Sequence, residues 1–584
     1  MNYPMLSETD ITRQMTDTFG GYNHNLRIAD GEFYDMKNLT SADYPVLSPR
    51  GQRGVYAAPT APQGMIAKDA LCYVDGSAFV IGEYRVDMGL SADAQKCPKQ
   101  LVSMGAYVVI FPDRKYINTA DLTDWGDIDA SFTTTGTVTF SLCRMDGTAQ
   151  DVTYTQDTAP ASPSNMDTWL DTSSEPHTLK QYSATTGVWS FVATTYIRIE
   201  ATGIGAAFAQ YDGVTISGLK GVVTGQLAGI DGSMVIWDRG DDYLVVVGIL
   251  DAEQTVDSAV TVRREMPKVD FVIESQNRLW GCRYGTANNG DVVNEIYASK
   301  LGDFKNWNCF MGLSTDSYAA SCGTDGQFTG AITHLGYPLF FKENHLHKIY
   351  GNYPANYQIQ TTACRGVQKG CANSLAIVGE VLYYKSRSGV CAYDGSLPSE
   401  MSAALGDEVY GNAVAGAHGN KYYISMTDAG GSPVLFVYDA AKGMWHKEDA
   451  VQAEAFCSCR GEMYYIDHAD KKIRTVFGSG EKDTAPVPWM AETGIIGTSM
   501  PDKKYLSRLL WRMSLSPGAK AAFYVQYDSS GEWEYVCTVR GTTLRSFPVP
   551  IRPRRCDHLR LRIVGEGEAK IFSVTKTIEQ GSDT

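Results

Sequence analysis

The chain has 584 residues, of which 43% are hydrophobic and 20% charged, and its formal net charge is −15. This balance is typical of a folded chain with more than one core and excludes the low-hydrophobicity composition of disordered proteins. No run of about 18 apolar residues occurs, and the N-terminus lacks a basic segment followed by an apolar one, so we expect no membrane span and no signal peptide.

Tyrosine and glycine are abundant, with 34 and 57 copies. Tyrosine suits half-buried strand faces and glycine suits tight turns, so the composition favours an all-β fold. The 13 cysteines are an odd number scattered through predicted strands. We therefore expect reduced core thiols in a protein made in the cytosol, rather than a disulfide framework.

Residues 1–53 are predicted to form an N-terminal arm. Ser7 to Thr18 is the one candidate helix, with Ser7 as its N-cap. The turn-rich segment that follows, residues 20–53, is predicted either to wrap a neighbouring subunit or to supply the strand that closes a ring of sheets. Both uses would satisfy open strand edges.

A repeated hairpin pattern dominates the middle of the chain. In GEVLYYKSRSGVCAYDG (379–395), two apolar, aromatic runs flank a short polar turn, which predicts two antiparallel strands. Related segments recur, several of them about 40 residues apart, the period of a four-stranded propeller blade. The seven hairpins counted in this way are 69–84, 105–119, 277–307, 336–351, 379–395, 419–439 and 461–476. We therefore predict a β-propeller of about seven blades, built from residues 54–130 and 223–482.

Residues 131–222 differ in composition from the rest of the chain, because they are rich in threonine and serine. We predict a small inserted β domain with a short helical turn at 166–172 and alternating strands at 179–205. Its polar surface suits contact with another protein or a glycan, but a decorative or stiffening insertion explains it better.

Residues 483–584 follow a proline-rich seam and alternate as the strands of a compact β-sandwich. Residues 501–584 contain 14 Lys and Arg against 9 Asp and Glu, a local charge of +5, which leaves −20 on the rest. Opposite charges on two parts of one chain suit head-to-tail contacts between copies or docking on charged partners.

The candidate interface residues lie in this basic region. The alternation of Leu559, Leu561 and Ile563 with arginines puts Arg560 and Arg562 on one strand face. Arginine forks pair with carboxylates across subunit contacts, so we predict a protein interface that contains Arg552, Arg554, Arg555, Arg560 and Arg562.

Trp533 is a further candidate in the same region. In YDSSGEWEYV (527–536) it either stacks on a sugar ring or is buried between two sheets.

Motifs of known catalytic or phosphate-binding chemistry are missing from the sequence: it contains no GxSxG, GxxxxGK[ST], HExxH or EF-hand pattern. His345 and His347 lie two apart on one strand face, as a metal pair would, but an ordinary strand with two hydrogen-bonded imidazoles explains them better.

Asp238, Asp241 and Asp242 fit a polar turn, and Cys457 and Cys459 form only a CxC without a second ligand pair. We predict no catalytic residue, no metal and no cofactor, hence a protein that is not an enzyme. A propeller glycan hydrolase is the alternative, and it would need clustered arginines, a Tyr/Glu pair and an acid at the centre of the ring.

Three stretches resemble one family. GGYNHN…DMKNLTSADYPVLSPR, NRLWGC followed by NEIYASKLGDFKNW, and KYYISM…LFVYDAAKGMWHKED are similar to the β-propeller virion structural proteins of tailed bacteriophages, described as stabilisation, tail accessory or nozzle proteins. The run IRPRRCDHLRLRIVGEGEAKIFSV resembles the terminal sandwich of that group.

The resemblance implies a ring-forming subunit of the virion at the head–tail junction or in the tail, made in the bacterial cytoplasm. Such a subunit would stabilise packaged DNA, contact portal, adaptor, tail or adhesin subunits, and have no catalytic residues. A receptor- or glycan-binding adhesin that uses the insertion or Trp533 is the alternative reading of the sequence.

Overall fold

The computed structural model describes residues 11–92, 98–220, 225–287, 290–482 and 485–581. Strands dominate these residues, so the all-β prediction is confirmed. The helices in the described part of the chain are four short 3-10 segments, Gly225–Ile230, Pro354–Asn356, Ala372–Ser374 and Ala403–Leu405. No described helix is long and apolar enough to cross a membrane.

Residues 11–57, called the arm from here on, contain strands rather than the predicted helix: β1 (Ile11–Thr16), β2 (Gly21–Tyr22), β3 (Glu32–Lys37), β4 (Leu39–Thr40), β5 (Ser48–Pro49) and β6 (Gly54–Ala57). The arm thus extends four residues beyond its predicted end at residue 53. β1 pairs along its whole length with the last strand of the chain, Ala569–Gln580. The helix prediction is therefore wrong for residues 11–16, because long-range pairing outweighs a weak helical pattern that lacks an apolar stripe. Its N-cap candidate, Ser7, lies outside the described residues.

Two antiparallel sheets follow the arm. Sheet 1 contains β7 (Pro62–Ala67), β8 (Leu71–Asp75), β9 (Ala78–Ile81) and β10 (Tyr84–Asp87). Sheet 2 contains β11 (Gln100–Met104), β12 (Tyr107–Phe111), β13 (Lys115–Asn118) and β14 (Trp125–Asp127). The predicted hairpins 69–84 and 105–119 are the central strand pairs of these two sheets.

Three further sheets are inserted between residues 130 and 264. Their strands are β15 (Ala130–Thr133), β16 (Val138–Cys143), β17 (Tyr154–Gln156), β18 (Thr168–Asp171), β19 (Thr178–Ser183), β20 (Val188–Phe191), β21 (Tyr196–Glu200), β22 (Gly213–Ser217), β23 (Ser233–Val235), β24 (Asp238–Arg239), β25 (Tyr243–Val247), β26 (Gln254–Val256) and β27 (Thr261–Arg264).

The strand orders within the insertion are β15-β27-β22-β23, β24-β25-β21-β16-β26 and β17-β18-β19-β20. The predicted end of the insertion at residue 222 is wrong, because strands on both sides of that position pair with one another. The predicted helical turn at 166–172 is also wrong, since Thr168–Asp171 pairs on both edges as a strand.

Four sheets of four strands follow the insertion. Sheet 3 contains β28 (Phe271–Ser275), β29 (Arg278–Thr286), β30 (Val292–Ala298) and β31 (Tyr318–Ser321), and sheet 4 contains β32 (Phe328–His334), β33 (Tyr337–Lys342), β34 (His345–Tyr350) and β35 (Gln358–Ala363). Sheet 5 contains β36 (Ala376–Val378), β37 (Val381–Lys385), β38 (Val390–Tyr393) and β39 (Ser399–Glu400). Sheet 6 contains β40 (Gly411–His418), β41 (Lys421–Thr427), β42 (Pro433–Asp439) and β43 (Met444–Lys447).

Sheet 7 is completed by the arm. Its own strands are β44 (Ala453–Cys459), β45 (Glu462–Asp467), β46 (Ile473–Thr475) and β47 (Glu481–Lys482). β6 lies between β46 and β47 and pairs with both. The strand supplied to this distant sheet is residues 54–57, which directly follow the segment 20–53 for which that use was predicted.

Sheets 1 to 7 contact one another in a closed cycle. The first strand of each sheet contacts the first strand of the next or the short 3-10 segment before it, and β44 contacts β7. β11 contacts β28 directly, so the inserted sheets lie outside this cycle. Core clusters fill the spaces between neighbouring sheets; for example, Cys457 and Ile466 of sheet 7 pack with Leu71 and Tyr73 of sheet 1.

The C-terminal strands are β48 (Pro488–Thr493), β49 (Lys504–Tyr527), β50 (Glu534–Val549), β51 (Leu559–Glu566) and β52 (Ala569–Gln580). β49 pairs with β52 through its first half and with β51 through its second half. Trp511 and Phe523 lie in different halves of β49, yet their ring centroids are 5.5 Å apart. Twelve residues of straight strand would span about 40 Å, so β49 folds back on itself.

Candidate interaction surface

One sheet joins the cycle to the C-terminal strands. Its order is β40 and β41 at one end, then β42, β43, β2, β3, β48, β51, β49, β52 and β1, with β50 on the free side of β49. The arm strands β2 and β3 thus lie between sheet 6 and the C-terminal strands. The largest core cluster follows the same path and includes Tyr422, Phe33, Trp489 and Trp511. Sheet 6, the arm and the C-terminal strands therefore share one core.

A buried ion cluster fixes the arm where it enters sheet 7. Arg53 donates through Nη2 to Glu448 Oε2 at 2.7 Å and through Nη1 to Asp449 Oδ2 at 2.8 Å. Arg50 donates to the same Asp449 oxygen at 2.9 Å. Burial by itself would lower the pKa of Arg53, but Asp449, Tyr465 and Glu448 outweigh it and raise that pKa above its ordinary value. The guanidinium is therefore held charged inside the protein by its partners.

Arg560 and Arg562 lie on one strand face, as their alternation predicts, but that face is occupied from within the chain. Both donate to Glu492 of β48, Arg560 at 3.3 Å and Arg562 at 2.6 Å, and the Glu492 side chain is only 7% exposed. The Arg560 guanidinium also lies 4.4 Å from the ring centroid of Tyr34 in the arm. These two arginines hold β48, β51 and the arm together, so this structure places them in an internal contact.

Trp533 stands beside the same pair, just before β50. It is half-buried, and the Arg562 guanidinium lies 3.9 Å from its ring centroid. This cation–π contact occupies one face of the indole. The residue is therefore part of the surroundings of Arg562, and its predicted sugar contact stays a prediction.

Arg552, Arg554 and Arg555 have a different environment, because all three are exposed in the loop between β50 and β51. Arg554 donates to Glu534 at 2.7 Å, and these side chains are 60% and 53% exposed. The backbone of the loop is fixed at Arg552, whose carbonyl accepts a hydrogen bond from the Tyr527 hydroxyl at 3.4 Å. Of the five predicted arginines, these three present their charge to the outside of the described structure.

Two cavities lie at the junction between the arm and the C-terminal strands. One of about 750 Å³ is lined by both acids and bases, among them Asp43, Arg50, Lys482, Glu568 and Lys570. A second, of about 220 Å³, lies beneath β1 and reaches Trp511. Acidic and basic groups face each other in the larger cavity, and several of them already pair: Lys570 donates to Asp43 and Arg50 to Asp449.

The two histidines considered as a metal pair, His345 and His347, differ in burial. His347 is fully buried and contacts Thr324 Oγ1 and Thr361 Oγ1, each at 2.9 Å, and burial lowers its pKa to about 4. His345 is half-buried at the start of the same strand. The interpretation of His347 as a hydrogen-bonded core residue agrees with these contacts.

The other candidate ligands also have structural partners. The Asp242 carboxylate accepts a hydrogen bond from the Gly203 amide at 2.7 Å, Asp241 pairs with Arg239 at 3.3 Å, and Asp238 accepts from the Tyr243 hydroxyl at 3.4 Å. Among the residues that the structure describes, no three His, Cys, Asp or Glu side chains come together as a metal site would require. All twelve described cysteines are free thiols.

Comparisons with known proteins do not assign this chain to a family. No family model matches the sequence, and no curated protein matches it. Among solved structures, the exo-β-1,3-galactanase of Phanerochaete chrysosporium is 9% identical, with 52% of this chain and 94% of that chain covered and a TM-score of 0.20. The acylaminoacyl peptidase of Pyrococcus horikoshii is 10% identical, with 54% and 55% covered and a TM-score of 0.25.

A third solved structure, the sialidase of Trypanosoma rangeli, is 9% identical, with 97% of this chain and 95% of the sialidase covered and a TM-score of 0.16. Similarity at these levels carries no argument about the function of this chain.

Sequence reasoning missed the partners of the arginines. Glu492 lies 68 residues before Arg560, and Tyr34 lies in the arm, so neither is near the cluster in sequence. The available signal was the alternation in β48: Trp489 and Ala491 are buried on one face, so Met490 and Glu492 share the other face, and Glu492 pairs with Arg562 of β51.

Proposed function

We propose that the protein is a non-enzymatic structural subunit of a tailed-bacteriophage particle. In this role it forms a ring of several copies at the head–tail junction or in the tail, stabilises the virion and its packaged DNA, and anchors other tail proteins. Its partners would be further copies of itself and portal, adaptor, tail or adhesin subunits. The resemblance of the arm, of 277–307 and of 419–449 to phage virion proteins is the reason for naming this particle.

The observation that carries the proposal is the distribution of the arm strands. β6 completes sheet 7, β2 and β3 join sheet 6 to β48, and β1 pairs with β52. One segment thus ties the cycle of sheets and the C-terminal strands into one body with a shared core. A component that transmits load between neighbours in a particle needs such a body, because its parts must not separate under force.

We further infer that sheets 1 to 7 are the blades of a seven-bladed β-propeller, and that the C-terminal strands form a β-sandwich. The closed cycle of contacts between first strands supports the propeller. The fold-back of β49, with Trp511 against Phe523, supports two facing layers in the C-terminal part.

The test is the state of the purified full chain. We expect light scattering to give several copies per particle and electron micrographs to show closed rings. Reversal of Arg554 and Arg555 together to glutamate should disperse the rings into single chains, because both side chains are exposed and basic. A chain that stays monomeric at high concentration and turns over fluorogenic glycosides would overturn the proposal in favour of a glycan hydrolase.

A second candidate function, a glycan-binding adhesin, is favoured by the small sheet β17–β20. Trp189 packs against Trp169, Tyr182 and Tyr154, with ring centroids 5.4, 5.3 and 6.4 Å away, and Phe191 on the same sheet is 69% exposed. Aromatic faces with polar neighbours are typical of surfaces that stack on sugars.

A glycan array probed with the full chain tests this alternative. We expect Trp189→Ala to remove any glycan signal that depends on this sheet. Silence of the unaltered protein on the array would remove the adhesin from consideration.

A further inference from the structure

The strand β50 is an open edge of the joining sheet. It pairs with β49 from Val549 opposite Leu509 to Glu534 opposite Val525, and no other described strand pairs with it. Its 16 residues make it one of the longest strands of the protein, and most of them are exposed. A row of backbone N–H and C=O groups along its outer side therefore lacks a neighbouring described strand.

This edge lacks lysine and an early proline, two features that commonly prevent strand addition, while it carries two arginines and its pairing with β49 shifts register three times. Soluble proteins protect exposed edges with lysines, prolines, short strands or covering loops. Between Glu534 and Ser546 the strand contains no lysine and no proline, and Pro548 comes only near its end. It also presents apolar side chains, with Tyr535 58% and Leu544 46% exposed. The edge is therefore suited to take up another strand.

The charge along the edge selects the partner. Arg540 and Arg545 are both exposed on β50, and Arg552, Arg554 and Arg555 follow in the next loop. Glu534, the one carboxylate in β50, is paired with Arg554. The edge and its adjoining loop thus carry a net positive charge, and a strand with carboxylate side chains is complementary to it.

We propose that β50 binds an extended acidic segment of a partner protein, which adds to the joining sheet as an antiparallel strand. Backbone hydrogen bonds along the half of β50 that pairs with Lys520 to Val525 supply the sequence-independent part of the affinity, and a carboxylate of the added segment pairs with Arg540, which lies opposite exposed Lys520. This inference deepens the proposed function, since it names a contact through which the subunit would hold its neighbour.

The measurement uses the full chain and a fluorescent peptide of alternating valine and glutamate, with a peptide of alternating valine and lysine as its control. We expect fluorescence anisotropy to show binding of the acidic peptide, weakening with salt, and none of the basic one. Arg540→Glu should weaken it roughly three- to fivefold, as expected for an exposed ion pair of up to about 1 kcal/mol, and Arg545→Gln, on the opposite strand face, should weaken it less. Arg387→Glu, an exposed site on a turn of sheet 5, is the matched control and should leave binding unchanged.

Backbone methylation of the probe separates strand addition from simple charge attraction. A peptide methylated on the nitrogens along one edge keeps its charge but cannot donate hydrogen bonds there. Of the two such peptides, one for each edge, at least one should lose binding completely. Equal binding of both methylated peptides and the unmodified one would overturn the proposal, and so would self-association through β50 without any peptide binding.

The peptide experiment tests the acidic strand and the ring experiment tests the structural role, and either one can give a negative result without the other. Rings without peptide binding would leave the structural role standing and reject the acidic strand. Peptide binding by a chain that stays monomeric would support the edge and reject the proposed ring.

Discussion

The arm and the inserted sheets are attached to the cycle of seven sheets in opposite ways. The arm distributes its strands over sheet 7, the joining sheet and the C-terminal strands, and β1 pairs with residues more than 550 positions away. The insertion leaves and returns at a single strand pair, where Ala130 lies opposite Arg264, and it also contacts the loop between β30 and β31, where Asn306 hydrogen-bonds the backbone of Tyr211 and Gly213. The arm therefore holds distant parts together, while the insertion is attached to one neighbourhood of the cycle.

This difference predicts which changes should destabilise the folded protein. Contacts between residues far apart in sequence have a large loop-closure cost, so they form only when many of them form together. The arm supplies such contacts and should unfold with the whole molecule. The insertion has its own core, with Phe140, Ile199 and Val262 among its members, and should be removable.

The largest effect is expected from breaking the ion cluster of the arm. Arg53→Ala leaves Glu448 buried without its closest partner, and breaking a buried pair in this way costs about 3–5 kcal/mol. Urea unfolding followed by circular dichroism measures the loss of free energy of unfolding. Arg387→Ala, at an exposed turn, is the control and should change it by less than about 0.5 kcal/mol. Equal stability of the two variants would show that the arm does not hold the cycle closed.

Acid should weaken the cycle through His347. Its pKa in the folded protein is about 4, below the ordinary value of 6.5, so the unfolded chain binds more protons between these pH values. The contribution of His347 to stability is therefore complete above pH 6.5 and is lost as the pH falls towards 4, by up to about 1.4 kcal/mol per pH unit.

Urea titrations at several pH values test this prediction. His347→Gln keeps a polar group near Thr324 and Thr361 but does not titrate, so its unfolding free energy should vary less with pH between 6.5 and 4. A variant whose pH dependence equals that of the unaltered protein would contradict the assignment.

A smaller effect separates the two groups of arginines. Glu492→Gln weakens the partner of both Arg560 and Arg562 in a buried setting, and we expect a loss of about 1–3 kcal/mol. Glu534→Gln removes the partner of exposed Arg554 and should cost less than about 1 kcal/mol. The same urea measurement compares the two variants, and a larger loss from Glu534→Gln would reverse our ranking of the two environments.

Removing the insertion tests the comparison directly. Residues 131–263 can be replaced by an Asn-Gly turn, because Ala130 and Arg264 are adjacent strand partners. Arg264→Thr and Asn306→Ser belong in the same variant, since the buried partner Asp212 of Arg264 and the backbone partners Tyr211 and Gly213 of Asn306 leave with the insertion. We expect one cooperative unfolding transition, shifted by less than about 2 kcal/mol. An insoluble or molten product would show that the insertion is part of the cycle after all.

Local patterns in the sequence predicted local features well. Each of the seven hairpins appears as a pair of antiparallel strands, because apolar runs around a short polar turn with glycine, asparagine or aspartate specify a hairpin without reference to the rest of the chain. The common face of Arg560 and Arg562 followed from the two-residue period of a strand in the same way.

Long-range features were not predictable from the same patterns. Strands at 233–264 resemble those of the cycle in composition, and only their pairing with residues before 222 assigns them to the insertion. β1 has the sequence of neither a strong helix nor a strong strand, and β52 decides its state. Glu492 and Tyr34 cover the arginine face from distant positions, which a single sequence does not reveal.

The sequence by itself determined the all-β class, the hairpins and the sites of charge, because these depend on side-chain period, turn chemistry and composition. Only the tertiary structure decided which strands share a sheet, where the insertion ends, and which arginines stay exposed. Strand pairing uses backbone groups that are the same in every residue, so the choice between partners is made by the packing of whole sheets and not by any short stretch of sequence.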